Sequence, residues 1–335
     1  MDHAKPGRPG DPTGTPSRIR LRRARTLRDR KAIVRISAEV SPHHPASVEE
    51  MRWAERTYPG VVRLLASVDG MDVGTALTGR IYAYPPEFDA YWAVIEVLAP
   101  FRRRGIGDRL YRAISGRARA AGKSAFLSPV LETSTDGIAF LEHRGFVEIE
   151  RMACVRLDLA GLTAPDPAPP PGVSITTLAA RPDLAPAVHT VAVTCWADVP
   201  SMDEPPQAGP FEEWAARELY GPNARLDAYF VALAGDAVVG FADLYFLPGR
   251  PGVAAHGMTG VARTWRGRGV ASALKRATIG RAIEAGLEAL EASNDLANAP
   301  MRAINERLGY RPQPDELTMR GPLAPVRGRR AWRGA

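Results

Sequence analysis

A short turn rich in arginine and glycine occurs twice in this 335-residue chain, and a second landmark repeats at the same distance. Arg102-Arg103-Arg104-Gly105-Ile106-Gly107 is echoed by Arg266-Gly267-Arg268-Gly269-Val270-Ala271. Leu141-Glu142-His143-Arg144-Gly145-Phe146 is echoed by Asn305-Glu306-Arg307-Leu308-Gly309-Tyr310. The offsets are 269 − 105 = 164 and 309 − 145 = 164 positions. Two dissimilar landmarks at one offset mean a duplicated unit. The chain length suits two units of ordinary domain size, each able to bury its own core.

Apolar alternation marks strands, and apolar residues at helical spacing mark helices. In the first unit they predict a strand at Ile19–Ala24, a helix at Leu27–Val40, and strands at Val61–Val68, Val73–Tyr82 and Tyr91–Leu98. After the turn come a helix from Ile106 to Ala121, a strand at Ala125–Val130, a short helix near Gly137–His143, and closing strands over Val147–Leu159. Residues 161–172, five of them proline, form a semi-rigid linker. The order then recurs. A strand at Val173–Leu178 and a helix at Pro182–Ala197 precede strands at Tyr229–Ala234, Val238–Phe246 and Met258–Ala262. The turn, a helix at Val270–Ala285, a strand at Leu287–Ala292, a helix at Asn298–Arg307 and a strand near Leu317–Met319 follow. The expected division is a flexible tail 1–17, units 18–160 and 173–325, and a basic tail 326–335. Ile19 to Val173 is only 173 − 19 = 154 positions, so the second copy carries extra residues, placed at Ser201–Pro210 beside a substrate opening.

Composition narrows the class. No apolar run approaches the ~20 residues of a membrane span. The N-terminus has no hydrophobic stretch, so a cytoplasmic protein is expected. Cys154 and Cys195 lack metal-ligand spacing, read as small buried hydrophobes, and no metal is expected. The net charge of +7 comes almost wholly from arginine, without basic and aromatic residues interleaved, so nucleic acid is not the expected partner.

A strand that feeds such a turn into a helix makes an anion site. Glycine allows close backbone approach, the first-turn N–H groups and helix dipole face the anion, and arginine adds forked donors. Pyrophosphate is the natural ligand. A Walker loop would need Gly-Lys-Ser/Thr, which is absent, and Leu110 stands where a dinucleotide fold needs its third glycine.

With their flanking strands, from Val97 and from Val261, the two turns resemble the coenzyme A-binding motif of the GNAT superfamily of acyl-CoA N-acyltransferases. The later Gly145-Phe146 and Gly309-Tyr310 resemble its other common motif, and the whole chain is similar to tandem GNAT proteins of the mycothiol synthase type. The resemblance implies an α+β fold of two tandem domains, each a mixed, mostly antiparallel twisted sheet flanked by helices. It implies acetyl-CoA as donor and a primary amine of a small molecule or peptide N-terminus as acceptor. Val97-Leu98 and Val261-Ala262 would hold the pantetheine arm, and Arg102, Arg103, Arg104, Gly105, Ile106, Gly107, Arg266, Gly267, Arg268, Gly269, Val270 and Ala271 the pyrophosphate. Asn298 matches a family asparagine, but Asn305 stands where the family places an acidic tyrosine, and the first unit has Ser134 and Leu141 there.

For chemistry, His256 and Glu291 in the second unit are the candidate proton acceptors, and Asn305 a donor to the leaving thiolate. Asn294, Asn298 and Asn305 would share one side of a continuous helix. The second unit is expected to be the working copy. The competing reading is a non-catalytic acyl-CoA-binding regulator, which the missing tyrosine favours. The sequence does not define the oligomeric state.

Overall fold

The alternating segments of the first half form four antiparallel strands in chain order: β1 (Arg20–Arg23), β2 (Val62–Val68), β3 (Met71–Arg80) and β4 (Ala90–Val97). Helices α1 (Leu27–Val40) and α2 (Val48–Thr57) lie between β1 and β2, each opened by a reciprocal cap, Thr26 with Asp29 and Ser47 with Glu50. The sequence reading did not register α2. Beyond the turn come α3 (Ile106–Ala120), β5 (Ala125–Leu131), parallel to β4, and α4 (Thr135–Glu142). The closing strands are one strand of 12 residues, β6 (Val147–Asp158). The coordinates are a computed structural model that describes residues 18–199 and 206–326; the two tails, apart from Val326, and 201–205 of the insertion lie outside them.

The second half repeats the plan. It has β7 (Val173–Thr177), α5 (Ala185–Trp196), α6 (Phe211–Glu218), β8 (Tyr229–Ala234), β9 (Ala237–Phe246) and β10 (Val253–Val261). After its turn come α7 (Val270–Glu284), β11 (Ala289–Asp295), α8 (Ala299–Arg307), β12 (Arg311–Pro312) and β13 (Glu316–Pro322). Asn294 belongs to β11, so the expected continuous helix of three asparagines does not form; a strand end and a cap separate Asn294 from α8. The linker is packed as well: the methyl of Ala164 lies over Gly280 of α7.

All strands but β12 line up in one sheet, ordered β1-β2-β3-β4-β5-β13-β6-β11-β10-β9-β8-β7, with β12 pairing to β6 beside this path. The order shows an exchange. The last strand of the second half, β13, inserts between β5 and the start of β6, while the end of β6 lies along β11. Glu316 pairs with Met152, and 316 − 152 = 164, the repeat offset itself, so the axis relating the halves runs through this pair. Packing follows the exchange. Leu317, Met319 and Ala324 join the first half's core, and Leu157 and Leu159 join a core of the second. Tyr111 of α3 donates to the Pro322 carbonyl at 2.5 Å, and the Ala324 amide donates to Ser115 at 3.0 Å.

Candidate active site

Each turn delivers a 15-residue helix whose first N–H groups face open space. Gly105 and Gly269 cap α3 and α7 with φ of 78° and 91°, in the left-handed region where only glycine rests without strain. A Cβ placed at Gly105, Gly267 or Gly269 would meet no atom within 4 Å. This vacancy suits a diphosphate. The arginines divide the work. Arg102 donates to the Val97 carbonyl at 3.1 Å and reaches Asp136; Arg266 donates to the Val261 carbonyl at 2.9 Å and to Asp198 at 2.7 Å. These two clamp the turn to its strand. Arg104 and Arg268 lie over Phe101 and Trp265, and with Arg103 they have no acidic partner among the described residues.

Strand splaying opens the path toward the sheet centre. β4 pairs with β5 only as far as Trp92, and β10 pairs with β11 only as far as Ala255. The Leu98 and Ala262 amides donate to Val73 and Val239, so hydrogen bonding alternates to leave Val97 and Val261 facing the opening. The Leu98 and Ala262 amides are taken up by the sheet and their carbonyls by the amides of Phe101 and Trp265.

The halves differ at the next step. β4 runs in register along β3, whereas β10 carries a bulge between His256 and Thr259. The bulge hides the beginning of β10 from a reading of alternation, which expected the strand to start at Met258. At Gly257, within the bulge, a Cβ would overlap the carboxylate of Asp243 on β9. Asp243 is 3% exposed and accepts from the Met258 amide; burial, and then the charge of Glu218, raise its pKa well above the usual carboxylate value. Glu218, at the end of α6, accepts the Tyr245 hydroxyl and, at 2.7 Å, Arg217. Arg217 also donates to the Tyr82 carbonyl of the first half, so this acid pair lies where the halves meet. Sequence reading missed Asp243 and Glu218. A lone acid inside an otherwise apolar strand was the available signal.

On the opposite face of β10, His256 shares a 2.5 Å hydrogen bond with the Tyr310 hydroxyl. Its Nδ1 is buried without a partner, and burial, then the charge of Lys275, drive its pKa well below 6.5. It is thus neutral, buried inside the strand rather than at its edge. Asn305, 1% exposed, accepts from Lys275 Nζ at 2.7 Å and donates to Asn294 at 2.7 Å. Burial pulls Lys275 down to about 7. Two asparagines are therefore brought together, though on strand and helix. Asn298 caps α8, its side chain accepting the Met301 amide. Glu291 stands apart: Arg250 and Arg156 bind its carboxylate at 2.6 Å and 3.1 Å, and these partners lower its pKa against the effect of burial. A doubly paired carboxylate is a poor base. In the first half, Glu96 is buried and bonded to Ser37, and Ser128 donates to the Ala93 carbonyl at the splay.

Fold and site define a class: a duplicated mixed sheet that splays beside a glycine turn opening a helix N-terminus to an anion. A family model described as Acetyltransferase (GNAT) family matches residues 30–146 and 188–310. The chain belongs to that family, whose chemistry is acyl transfer, in two copies. Among solved structures, a GCN5-related N-acetyltransferase from Sphaerobacter thermophilus aligns with a TM-score of 0.70 at 21% identity, covering 93% of this chain and 98% of that one. A tandem GNAT protein from the clavulanic acid biosynthesis pathway aligns with a TM-score of 0.72 at 19% identity, covering 92% and 100%. These likenesses establish the fold. No curated protein matches the sequence. Among the described residues no helix is long and apolar enough to cross a membrane, and no cluster of three or more His, Cys, Asp or Glu could hold a metal.

Proposed function

We propose that this protein transfers an acetyl group from acetyl-CoA to a primary amine of a small molecule or peptide N-terminus, and that the second half performs the reaction. Acetyl-CoA supplies the activated thioester; the open cradle at Gly267 and Gly269 fits its diphosphate. Arg268 and the α7 N-terminus bind that anion, and Val261 and Thr259 present backbone toward the opening. Asp243 takes the ammonium proton of the incoming amine, since a buried carboxylate with a raised pKa is a stronger base than an exposed one. Glu218 helps attract the cation. Lys275, hydrogen-bonded to Asn305 Oδ1, sets a cation that titrates near neutral pH behind the family's tyrosine position, where it stabilises the leaving thiolate; the thiolate takes its proton from solvent. His256 orients Tyr310 against this chain. The observation that carries the reading is the β10 bulge, which sets Gly257 beneath Asp243 and has no counterpart in β4.

The test is consumption of the acetyl-CoA thioester with a panel of primary amines, followed by mass spectrometry of the product. An acetylated amine supports the proposal. Coenzyme binding without turnover across the panel would favour the non-catalytic regulator instead.

A further inference from the structure

A cavity lies in the first half, away from its glycine turn. It occupies about 360 Å³, within the range of small-molecule sites, and opens where β1 ends and β2 begins. β2 starts opposite the end of β3, which pairs with the start of β4. The cavity is therefore at the other end of the sheet from the N-terminus of α3.

Its lining is strongly one-signed. Arg23, Arg25, Arg30 and Arg63 face a single acid, Glu55, with Tyr58 on one wall. Arg30 Nη2 holds Glu55 at 2.5 Å, while Arg63 Nη1 is 3.9 Å from it, beyond hydrogen-bond reach. The Arg63 and Arg30 side chains are only 11% and 15% exposed. Arg63 Nη1 and Arg30 Nε are buried without a hydrogen-bond partner among the described residues. Two like charges thus lie side by side with donors unmet, and burial, with Arg30 adding to it, lowers the pKa of Arg63 although Glu55 opposes this. Unpaired buried guanidinium donors are costly unless an anion completes them. Arginine forks match oxyanions in pairs of parallel bonds.

We infer that the cavity between β1, α1 and β2 is a binding site for a compact dianion, a phosphate monoester or a dicarboxylate, held by Arg30 and Arg63 and admitted past Arg23 and Arg25. Neither diphosphate cradle is this cavity: the α3 cradle is at the opposite end of the sheet, and the α7 cradle follows β10, seven strands from β2 in the sheet order. The site stands whether or not the second half is catalytic.

Calorimetric titration with inorganic phosphate and, separately, succinate tests it, with saturating coenzyme A present to occupy the turns. Wild-type protein is expected to bind at one site, and Arg63→Met to bind about tenfold more weakly or not at all. Arg23→Glu with Arg25→Glu changes only exposed side chains and is expected to weaken binding several-fold without affecting folding. Tighter binding of phosphate or of succinate supports the site and names its source. Affinities unchanged in both variants, or no binding to wild-type protein at 10 mM, would overturn the inference.

Discussion

The two halves share a fold and a turn, yet they differ at three places on which the proposed chemistry rests. In the second half Gly267 and Gly269 both take positive φ, β10 bulges, and the bulge backs onto Asp243. In the first half Arg103 takes the equivalent positive φ of 61°, β4 is straight, and Ser128 fills in against the Ala93 carbonyl where the strands part. On the proposed function, the second copy keeps the close backbone approach that a thioester needs. The other has kept the sheet, the helix and the strand it lends. The exchanged strand joins the two cores, while the turns and the strands that lead into them differ.

The sharpest way to break this picture is to separate the halves. Residues 18–160 expressed alone lack β13, which contributes Leu317, Met319 and Ala324 to their core. This piece is expected to show no cooperative thermal transition by circular dichroism. A wild-type-like melt would mean the exchange is dispensable. Next in size is the asymmetry of the acids. Asp243→Asn is expected to lower kcat by about 10²- to 10⁴-fold, the usual worth of a general base, while Glu96→Gln has little effect. Because the Asp243 pKa is raised, the wild-type rate should climb with pH as this group deprotonates, and that limb should vanish in the variant. The same shift acts on stability in the opposite sense. A carboxyl that is harder to ionise when folded stabilises below its unfolded pKa, and that contribution is lost as pH rises through the folded value. Asp243→Asn should therefore gain stability over wild type as pH increases.

Lys275 gives a smaller effect of opposite sign. Its pKa falls from 10.5 to about 7 on folding, so the unfolded chain binds more protons between those values and stability should rise with pH across that window. Lys275→Met should flatten this rise in denaturation curves; an unchanged slope would show that burial does not perturb the amine. Smallest is the backbone contrast. Arg103→Gly relieves a left-handed residue and should stabilise by about 1 kcal/mol or less, and Gly267→Arg should cost a similar amount.

Much of this was legible in the sequence. The turns stood out because left-handed backbone leaves glycine as its trace, and repetition at one offset fixed the duplication. Which strands β13 joins was not legible: Leu317–Met319 reads as a strand, but alternation cannot choose between equivalent places in the two halves of one sheet. The start of β10 was lost because His256, Gly257 and Met258 break the alternation where the strand bulges. Glu291 looked like a base because its partners, Arg250 and Arg156, lie on a distant loop and on the exchanged strand. Asp243 escaped notice because its role depends on Glu218, carried by a helix with no signature of its own.

The claim that one copy works while the other supports it is tested most directly by measuring acetyl-CoA thioester consumption in Gly269→Glu and Gly105→Glu. Glutamate at either position combines left-handed strain with repulsion of the bound diphosphate, together worth about 100-fold in anion binding. Turnover lost in Gly269→Glu and retained in Gly105→Glu is the expected result. Loss in Gly105→Glu alone would contradict the account and move the chemistry to the first half.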